Sequence, residues 1–511
     1  MKVKKLQLQN YGRFDDLTME FAPNGETKGN VTIIVGNNGA GKSQILQALA
    51  TGFSWFVGGL TNAKTIKNHS NKFTFEWDFN YEADYISDKM VKNNKNYSIL
   101  DLFFNDANSQ INANIEVYTS INSSFDSAKF GNNKNNFENI INHYRNIIND
   151  NINFNLPLVA FYSVERNVVV NDLYPNLDFK NHQFKGYANC LIAGSDYHQF
   201  FQWFRDNEDL ENEKNKEKIN ISEEFDEMLN VQRELFKLRQ KQENLEDVDD
   251  FPNDEEKYKY FAKIAKQIEI LENRYNGFSI RSSLLNDALK ENKILPLNAV
   301  RSVIEEFTEL KNPRIHRQGT PKMVVEKDGE KLDVNQLSQG EKSLLALVGD
   351  IARRLAILNP SLDNPLQGEG VVLIDEVDLH LHPKWQQNLI DKLTKTFPNV
   401  QFILTTHSPH IVSDNPDVLV YALDDGQLHK FGNVYGEDVN TLLNDVFDVS
   451  RFTPEIDKKF NDIRRAISHQ ELDNAESLIN HLAQEISPNH TELLKMRLML
   501  AQAKLTLNQA D

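Results

Sequence analysis

Cysteine is nearly absent from this 511-residue chain, which contains only Cys190. One thiol cannot form an internal disulfide or a cysteine-rich metal site, so a disulfide framework and a zinc finger are both excluded. A lone cysteine of this kind usually serves as a small buried hydrophobic side chain. The scarcity of cysteine is typical of a protein from a reducing compartment.

Long hydrophobic runs are missing as well. No apolar stretch approaches the ~20 residues that a membrane-spanning helix needs. The first residues, MKVKKLQL, alternate polar and apolar side chains and lack the apolar core of a signal peptide. We therefore expect a cytoplasmic protein without a membrane partner.

Positive charge is in deficit, because 56 Lys and Arg against 74 Asp and Glu give a formal net charge of -18. Non-specific nucleic-acid binding depends on neutralising phosphates, so this balance argues against a broad nucleic-acid binder. The clearest local basic cluster contains Lys311, Arg314, His316 and Arg317. A solvated loop face explains this cluster better than a nucleic-acid contact does.

A glycine-rich loop lies between a predicted strand and a predicted helix near the start of the chain. Residues 36–43 read GNNGAGKS and match the phosphate-binding loop pattern. The glycines allow backbone N–H groups to converge on phosphate, and the helix N-terminus adds partial positive charge. Lys42 is expected to hold the outer phosphates, and the Ser43 hydroxyl to bind Mg²⁺. The predicted nucleotide-binding residues are Asn37, Asn38, Gly39, Ala40, Gly41, Lys42 and Ser43.

Two acidic residues, Asp375 and Glu376, end a second apolar strand that begins at Val371. Asp375 is predicted to hold Mg²⁺ through water, and Glu376 to orient or deprotonate an attacking water. Adjacent side chains on a strand point to opposite sides, which suits two different roles. An exposed pair of strand-end acids is the alternative, and the phosphate-binding loop is what favours the catalytic interpretation.

The third motif, residues 337–342, reads LSQGEK at the start of a predicted helix. It resembles the signature loop, LSxGE or LSGGQ, of ABC-type ATPases, specifically their SMC-like and RecF-like branch. The resemblance implies that this loop caps the γ-phosphate of a nucleotide held by another subunit. An ordinary serine N-cap explains the helix start but not the whole string. The residues that the resemblance assigns to the loop are Ser338, Gln339, Gly340 and Glu341.

Further residues match the family singly. His407 resembles the switch histidine near the γ-phosphate, and Asp378 resembles the dimer-contact loop that follows the acidic pair. Arg13, in NYGRF, resembles a strand end beside the nucleotide. The family's glutamine before the lid is not evident; Arg166 occupies that region as a phosphate sensor or a salt-bridge partner. His380 and His382 have the spacing of a metal pair, although a loop-shaping role explains them better.

The predicted fold is α/β: an ABC-type ATPase head in which the phosphate-loop sheet accompanies an antiparallel β lobe, with a helical lid. Within the lid, two apolar stripes predict a short helical hairpin, coiled-coil-like, or two ordinary packed helices. The segments are the first part of the head (1–60), an Asn-rich insertion (61–155), a head strand (156–170), the lid (171–310), the second part of the head (311–450) and a helical partner-docking appendage (451–511).

The layout resembles the ATPase subunits of Septu and retron-associated anti-phage defence systems, the PtuA group. This implies a homodimer or a higher even-numbered homo-oligomer that binds ATP and Mg²⁺. It also implies control of a separate HNH-type nuclease subunit, PtuB-like, in some systems together with a retron reverse transcriptase and an RNA–DNA hybrid. A RecF-like or SMC-like DNA-repair ATPase is the main alternative, and a scaffold that binds ATP without turnover is a third.

Overall fold

The structure is a computed structural model. It describes residues 1–61, 86–106, 111–120, 127–129, 134–150, 154–164, 183–191, 198–212, 230–231, 233–235, 237–239, 259, 262–272, 296–413, 415–431, 434–436, 453–487 and 490–508. In chain order the strands are β1 (Lys2–Tyr11), β2 (Phe14–Glu20), β3 (Val31–Gly36), β4 (Tyr97–Asp106), β5 (Ile111–Ser120), β6 (Ser127–Lys129), β7 (Leu158–Tyr162), β8 (Lys311–His316), β9 (Lys322–Lys327), β10 (Glu330–Asp333), β11 (Gly370–Ile374), β12 (Val400–Thr405), β13 (Val418–Asp424) and β14 (Gln427–Phe431). The named α-helices are α1 (Lys42–Thr61), α2 (Lys134–Asp150), α3 (Pro296–Thr308), α4 (Gln339–Leu358), α5 (Pro383–Gln386), α6 (Leu389–Thr396), α7 (Pro409–Val412), α8 (Pro454–Ser468), α9 (Leu472–Glu485) and α10 (Thr491–Asn508).

A six-stranded sheet with the order β14-β13-β3-β12-β11-β7 carries the predicted site. Its strands run parallel except β14, which pairs antiparallel with β13. Every residue of β3, β7, β11 and β12 is buried, as expected for parallel strands covered on both faces. The apolar runs that predicted β3, β11 and β12 are therefore confirmed as strands.

A second sheet has the order β2-β1-β4-β5-β6 and is antiparallel throughout. Strand β4 pairs directly with β1, with Leu102 opposite Leu6. Residues within the predicted Asn-rich insertion thus share a sheet with the start of the chain. Helix α1 contacts both sheets and joins their cores.

Strands β8, β9 and β10 form a small antiparallel sheet, and they precede α4 in the chain. The sequence predicts a hairpin over residues 323–334 that turns at Asp328–Gly329, and the turn between β9 and β10 falls at these two residues. Both residues have positive φ, 51° and 85°, the conformation that two-residue hairpin turns require.

The region after β11 corrects one expectation. A single helix over residues 383–396 is predicted, but the structure contains two short helices, α5 and α6. Asn388 lies between them with φ 65°, a left-handed conformation that no helix interior contains. Asparagine tolerates this conformation, which explains the break at this residue.

Only parts of the predicted lid lie in the described ranges. Residues within 230–239 and 259–272 are helical, and Val231, Leu235, Ile264 and Ile268 form a small separate apolar cluster. The two helical segments thus contact each other through this cluster, and the turn that would distinguish a hairpin from two ordinary packed helices lies outside the described residues.

Helices α8, α9 and α10 form a bundle with its own apolar core, as the sequence predicts for three amphipathic helices after residue 450. Helix α10 is also apolar on its outer side, where Leu494, Leu498 and Leu505 are 46%, 61% and 63% exposed.

Among the described helices, none has the length and hydrophobicity needed to cross a bilayer.

Candidate nucleotide site and signature cleft

The predicted catalytic motifs meet at one edge of the six-stranded sheet. The phosphate-binding loop follows β3, the acidic pair follows β11, and His407 follows β12. These three strands are neighbours in the order β3-β12-β11 and run parallel. Their carboxyl ends therefore lie side by side, the edge at which open α/β sheets bind ligands.

The backbone of the phosphate-binding loop depends on its glycines. Gly39 and Gly41 have φ values of 79° and 112°, which L side chains rarely adopt. A Cβ on Gly41 would also lie 2.8 Å from the Phe14 ring. The loop thus has a shape that only glycine permits, at the N-terminus of a 20-residue helix. Such an arrangement suits an anion.

Lys42 turns its ammonium back onto the loop. Its Nζ donates to the carbonyl oxygens of Gly36 at 2.8 Å and Asn37 at 3.2 Å, and lies 3.0 Å from His407 Nε2. Burial, followed by the Lys42 charge, lowers the pKa of His407, so a neutral imidazole accepting from Lys42 fits this contact. Burial also lowers the pKa of Lys42, opposed by the nearby acids. A cation held among carbonyl oxygens is ready to exchange these partners for phosphate oxygens.

The acidic pair is fixed by a threonine of the neighbouring strand. Thr405 donates its hydroxyl to Asp375, which is 2% exposed, and accepts the Glu376 N–H at 2.7 Å. Glu376 is half-buried and has φ 46°, an uncommon conformation for a residue other than glycine. The two carboxylates thus occupy different environments, as their predicted roles require.

Asp378 links the next loop to His407. Its carboxylate accepts the Thr406 hydroxyl at 2.6 Å and the His407 backbone N–H at 3.3 Å. In this way the predicted dimer-contact residue is tied to the segment that carries the predicted switch histidine. Thr405 and Thr406 are absent from the predicted site; their position between a buried strand and a histidine is the signal that could have revealed them.

Arg13 lies over the phosphate-binding loop, at the turn between β1 and β2. Its guanidinium donates to the Gly39 carbonyl and lies 3.4 Å from Asp425. The backbone N–H of Arg13 donates to the Gln44 side chain at 3.1 Å. The structure therefore brings Arg13 to the loop as predicted, and adds Gln44, which has no sequence motif of its own.

The signature residues form a reciprocal cap at the start of α4. Ser338 Oγ donates to Glu341 Oε2 at 2.7 Å and accepts the Glu341 N–H at 3.3 Å, while the Ser338 N–H donates to the same carboxylate at 2.9 Å. Lys327 Nζ reaches the other oxygen, Oε1, at 2.7 Å. Although burial acts in the opposite direction, the bonds from Lys327 and Ser338 lower the pKa of Glu341. The serine-cap interpretation is thus correct locally, and it leaves a ligand role open.

Gly340 brings the signature loop against the loop after β11. A Cβ at this position would lie 2.3 Å from the His380 carbonyl oxygen, so only glycine allows the approach.

His382 caps the short helix α5, because its Nδ1 accepts the Lys384 N–H at 3.2 Å. Within the described ranges, no group of three or more His, Cys, Asp or Glu side chains could hold a metal ion.

A cleft of about 530 Å³ opens beside the signature loop. Its described lining contains no residue of the phosphate-binding loop. One chain thus presents two separate surfaces, the loop at 36–43 and the cleft. The lining residues are Thr308, Glu309, Lys327, Asp328, Ser338, Gly340, Glu341, His380, His382, Lys384 and Trp385.

Two other predicted features have different outcomes. Arg166 lies outside the described residues. The basic cluster at 311–317 is partly neutralised within the chain, because Arg317 pairs with Glu208 at 2.8 Å and Arg314 lies 3.3 Å from Glu211. These acids belong to the helical residues 198–212.

The parallel sheet, its phosphate-type loop and the acidic strand end are elements expected of a nucleotide-binding ATPase. A family model described as an AAA ATPase domain matches residues 1–412. The chain belongs to this AAA ATPase family, and its activity class is ATPase.

Similar proteins include the retron Ec83 probable ATPase of Escherichia coli. It is 31% identical over 516 residues, which span 98% of this chain and 86% of that protein. The Septu protein PtuA of Bacillus mycoides (strain KBAB4) is 41% identical over 76 residues, 15% of this chain and 10% of that protein. The Smc head domain of Pyrococcus furiosus, solved with the C-terminal domain of ScpA, gives a TM-score of 0.39 at 14% identity, covering 84% and 96% of the two chains.

Proposed function

We propose that two copies of this chain, as a homodimer or within a larger even-numbered assembly, close around two molecules of Mg-ATP. The separation of the phosphate-binding loop from the signature cleft is the observation that carries this proposal. Each composite site then takes its loop from one subunit and Ser338 from the other. Nucleotide binding is thereby coupled to assembly, since only a closed pair completes a site.

The residues of one subunit have separate tasks at this site. Lys42 leaves the carbonyl oxygens of Gly36 and Asn37 and binds the outer phosphates. Ser43 and Asp375 would hold Mg²⁺, which needs one or two protein oxygens when phosphates and water complete its shell. Glu376 accepts a proton from the attacking water. Neutral His407 lies near the γ-phosphate and orients it. Mg²⁺ supplies charge neutralisation of the phosphates.

We infer that this ATPase is a cytoplasmic regulatory subunit of a bacterial anti-phage defence complex. The similarity to a retron ATPase over nearly the whole chain and the shorter similarity to PtuA support this assignment. Its nucleotide state would control a separate HNH-type nuclease, with a retron reverse transcriptase and RNA–DNA hybrid where such partners are present.

Helix α10 is the proposed docking surface for the nuclease. Leu494, Leu498 and Leu505 follow a heptad-like spacing on its outer side, and a helix that is apolar on both sides normally has both covered. Lys495 and Arg497 flank this stripe in an otherwise acidic protein, which favours a partner helix with acidic flanks.

Mixed variants test the composite site. Lys42→Ala and Ser338→Arg should each be inactive alone, because one lacks its loop and the other its signature. When they are mixed in equal amounts, each heterodimer contains one intact site, so turnover should return to about a quarter of the wild-type value if pairing is random and to about half if only heterodimers form. A mixture that forms heterodimers and stays inactive would contradict the proposal.

A separate variant tests the role of Glu376. Glu376→Gln should lower turnover by about 10²- to 10⁴-fold, the usual contribution of a general base. ATP binding, measured by isothermal titration calorimetry, should persist. Turnover at the wild-type rate would refute the role of this carboxylate.

Negative charge introduced into the apolar stripe of α10 tests the docking surface. Leu498→Glu with Leu505→Glu should reduce co-purification with the HNH-type nuclease at least about tenfold, while ATPase activity stays unchanged. Met499→Glu is the matched control, since Met499 is 42% exposed on the same helix but outside the stripe. Equal loss of binding in both variants would contradict a surface defined by this stripe.

A further inference from the structure

Lys327 is the last residue of β9 and is not part of any recognised nucleotide motif. Its Nζ lies 2.7 Å from Glu341 Oε1, and the two side chains are 43% and 6% exposed. The side chain of Glu341 is therefore held at the edge of the signature cleft, and Lys327 covers it from the solvent side. The contact joins the β9–β10 hairpin to the first turn of α4.

The second oxygen of Glu341, Oε2, holds the Ser338 hydroxyl by a hydrogen bond. In this structure the hydroxyl donates its proton to Oε2 at 2.7 Å. To donate to a phosphate oxygen, Ser338 has to release this bond and rotate. The same oxygen also accepts the Ser338 backbone N–H, so the carboxylate stays beside the serine after the hydroxyl has turned away.

A carboxylate in this position conflicts with a phosphate ligand. The γ-phosphate is anionic, and the signature serine is within hydrogen-bond distance of Glu341. Two negative charges this close repel each other unless a cation neutralises one of them. The hydrogen bond with Glu341 raises the pKa of Lys327, so the ammonium keeps its charge at neutral pH.

Other cations near the cleft have different partners among the described residues. Lys342, next to Glu341 in sequence, donates to the Asn335 carbonyl at 3.0 Å. Lys384 is 73% exposed and lies 3.9 Å from Glu309. Among these lysines, Lys327 is therefore the one that is hydrogen-bonded to Glu341 and neutralises its charge.

We propose that Lys327 is a positioning residue of the signature cleft. Its ion pair with Glu341 cancels the negative charge beside Ser338 and so allows the serine to face the γ-phosphate of a nucleotide held by the other subunit. This inference rests on the composite site proposed above. In this proposal Lys327 acts through Glu341 and not through a contact of its own with the nucleotide.

A double-mutant cycle between Lys327 and Glu341 tests this role. Lys327→Gln leaves an unpaired carboxylate and should lower turnover and ATP-dependent dimerisation about tenfold. The affinity of the monomer for ATP should stay within about twofold, because the phosphate-binding loop is elsewhere. Adding Glu341→Gln removes the charge while keeping a side chain that can form the same cap, so the double variant should recover most of the lost activity.

Two further variants serve as controls. Lys327→Arg restores the positive charge and should retain activity. Lys331→Gln removes a cation from β10 of the same hairpin and should have no effect. If the double variant is as inactive as Lys327→Gln, the lysine acts on the phosphate directly or only on the fold, and the inference is overturned.

The same assay separates this inference from the proposed function. Ser338→Arg should abolish ATP-dependent dimerisation. If it does so while Lys327→Gln has no effect, the role of Lys327 is refuted and the composite site stands. If Ser338→Arg leaves dimerisation intact, the composite site itself is refuted.

Discussion

Helices α1 and α4 both begin at a predicted phosphate-contacting loop, yet they are held in the molecule by different forces. After Lys42, α1 contains no charged residue, and Gly52 lets it approach Leu102 of β4 closely. Helix α4 instead buries Asp350, Arg353 and Arg354 in its middle. Apolar packing seats α1, whereas α4 combines apolar packing with buried ion pairs and hydrogen bonds.

The polar contacts of α4 connect this helix to two other parts of the chain. Tyr162, at the end of β7, donates to Asp350 at 2.9 Å, and Arg354 donates to the Gly186 and Ala188 carbonyls at 2.8 and 3.0 Å. These directional contacts fix α4 to a strand end and to residues 183–191. Dense apolar packing holds α1 rigidly, and at α4 a satisfied buried polar network adds directional contacts to the apolar packing.

The largest effect is expected from the charge centre of α4. Nearby arginines hold the pKa of Asp350 well below its usual range, in spite of its burial. Asp350→Asn leaves two buried cations without their anion and should lower the free energy of unfolding by about 3–5 kcal/mol. Urea denaturation would measure this loss.

The exposed pair between Lys395 and Asp391 on α6 provides a control. Asp391→Asn should change the free energy of unfolding by less than about 1 kcal/mol, because solvent screens that pair. Equal effects of the two substitutions would contradict a stabilising role of the buried charge centre in α4.

A smaller effect is expected from the packing of α1. Gly52→Val would place side-chain atoms against Leu102, whose Cδ2 is already 2.7 Å from a Cβ built at Gly52. Overpacking of this kind should cost about 1–3 kcal/mol. Combining it with Leu102→Ala should cost less than the sum of the two single substitutions, as measured by the same denaturation. Simple additivity would indicate that this contact does not seat the helix.

The smallest effect concerns His407 and pH. Because the folded protein lowers the pKa of His407, the unfolded chain binds the proton more readily, and stability should fall as pH drops below about 6.5. The ring is only partly buried, so the contribution should be below about 1 kcal/mol. His407→Asn should flatten this part of the pH–melting curve. His429→Asn, at an exposed position on β14, should leave it unchanged.

The sequence predicts strands β3, β11 and β12 well, because buried parallel strands are continuous apolar runs. It also places the glycines on which the backbone of the 36–43 loop depends. It fails where one residue overrides a pattern, as Asn388 does within a helical period. It also misses contacts between distant segments. The pairing of Lys327 with Glu341 depends on how the hairpin folds over α4, and the neutralisation of Arg317 depends on a helix more than a hundred residues earlier.

The absence of a side chain at Gly340 has a consequence for cooperativity. With the His380 carbonyl oxygen directly against Gly340, the backbones of the signature loop and of the loop that carries Asp378 are in contact, so a shift of one loop presses on the other. In the proposed dimer, nucleotide occupancy at one interface site would therefore displace residues that serve the other. Turnover should then rise with ATP concentration more steeply than a hyperbola, with a Hill coefficient above one.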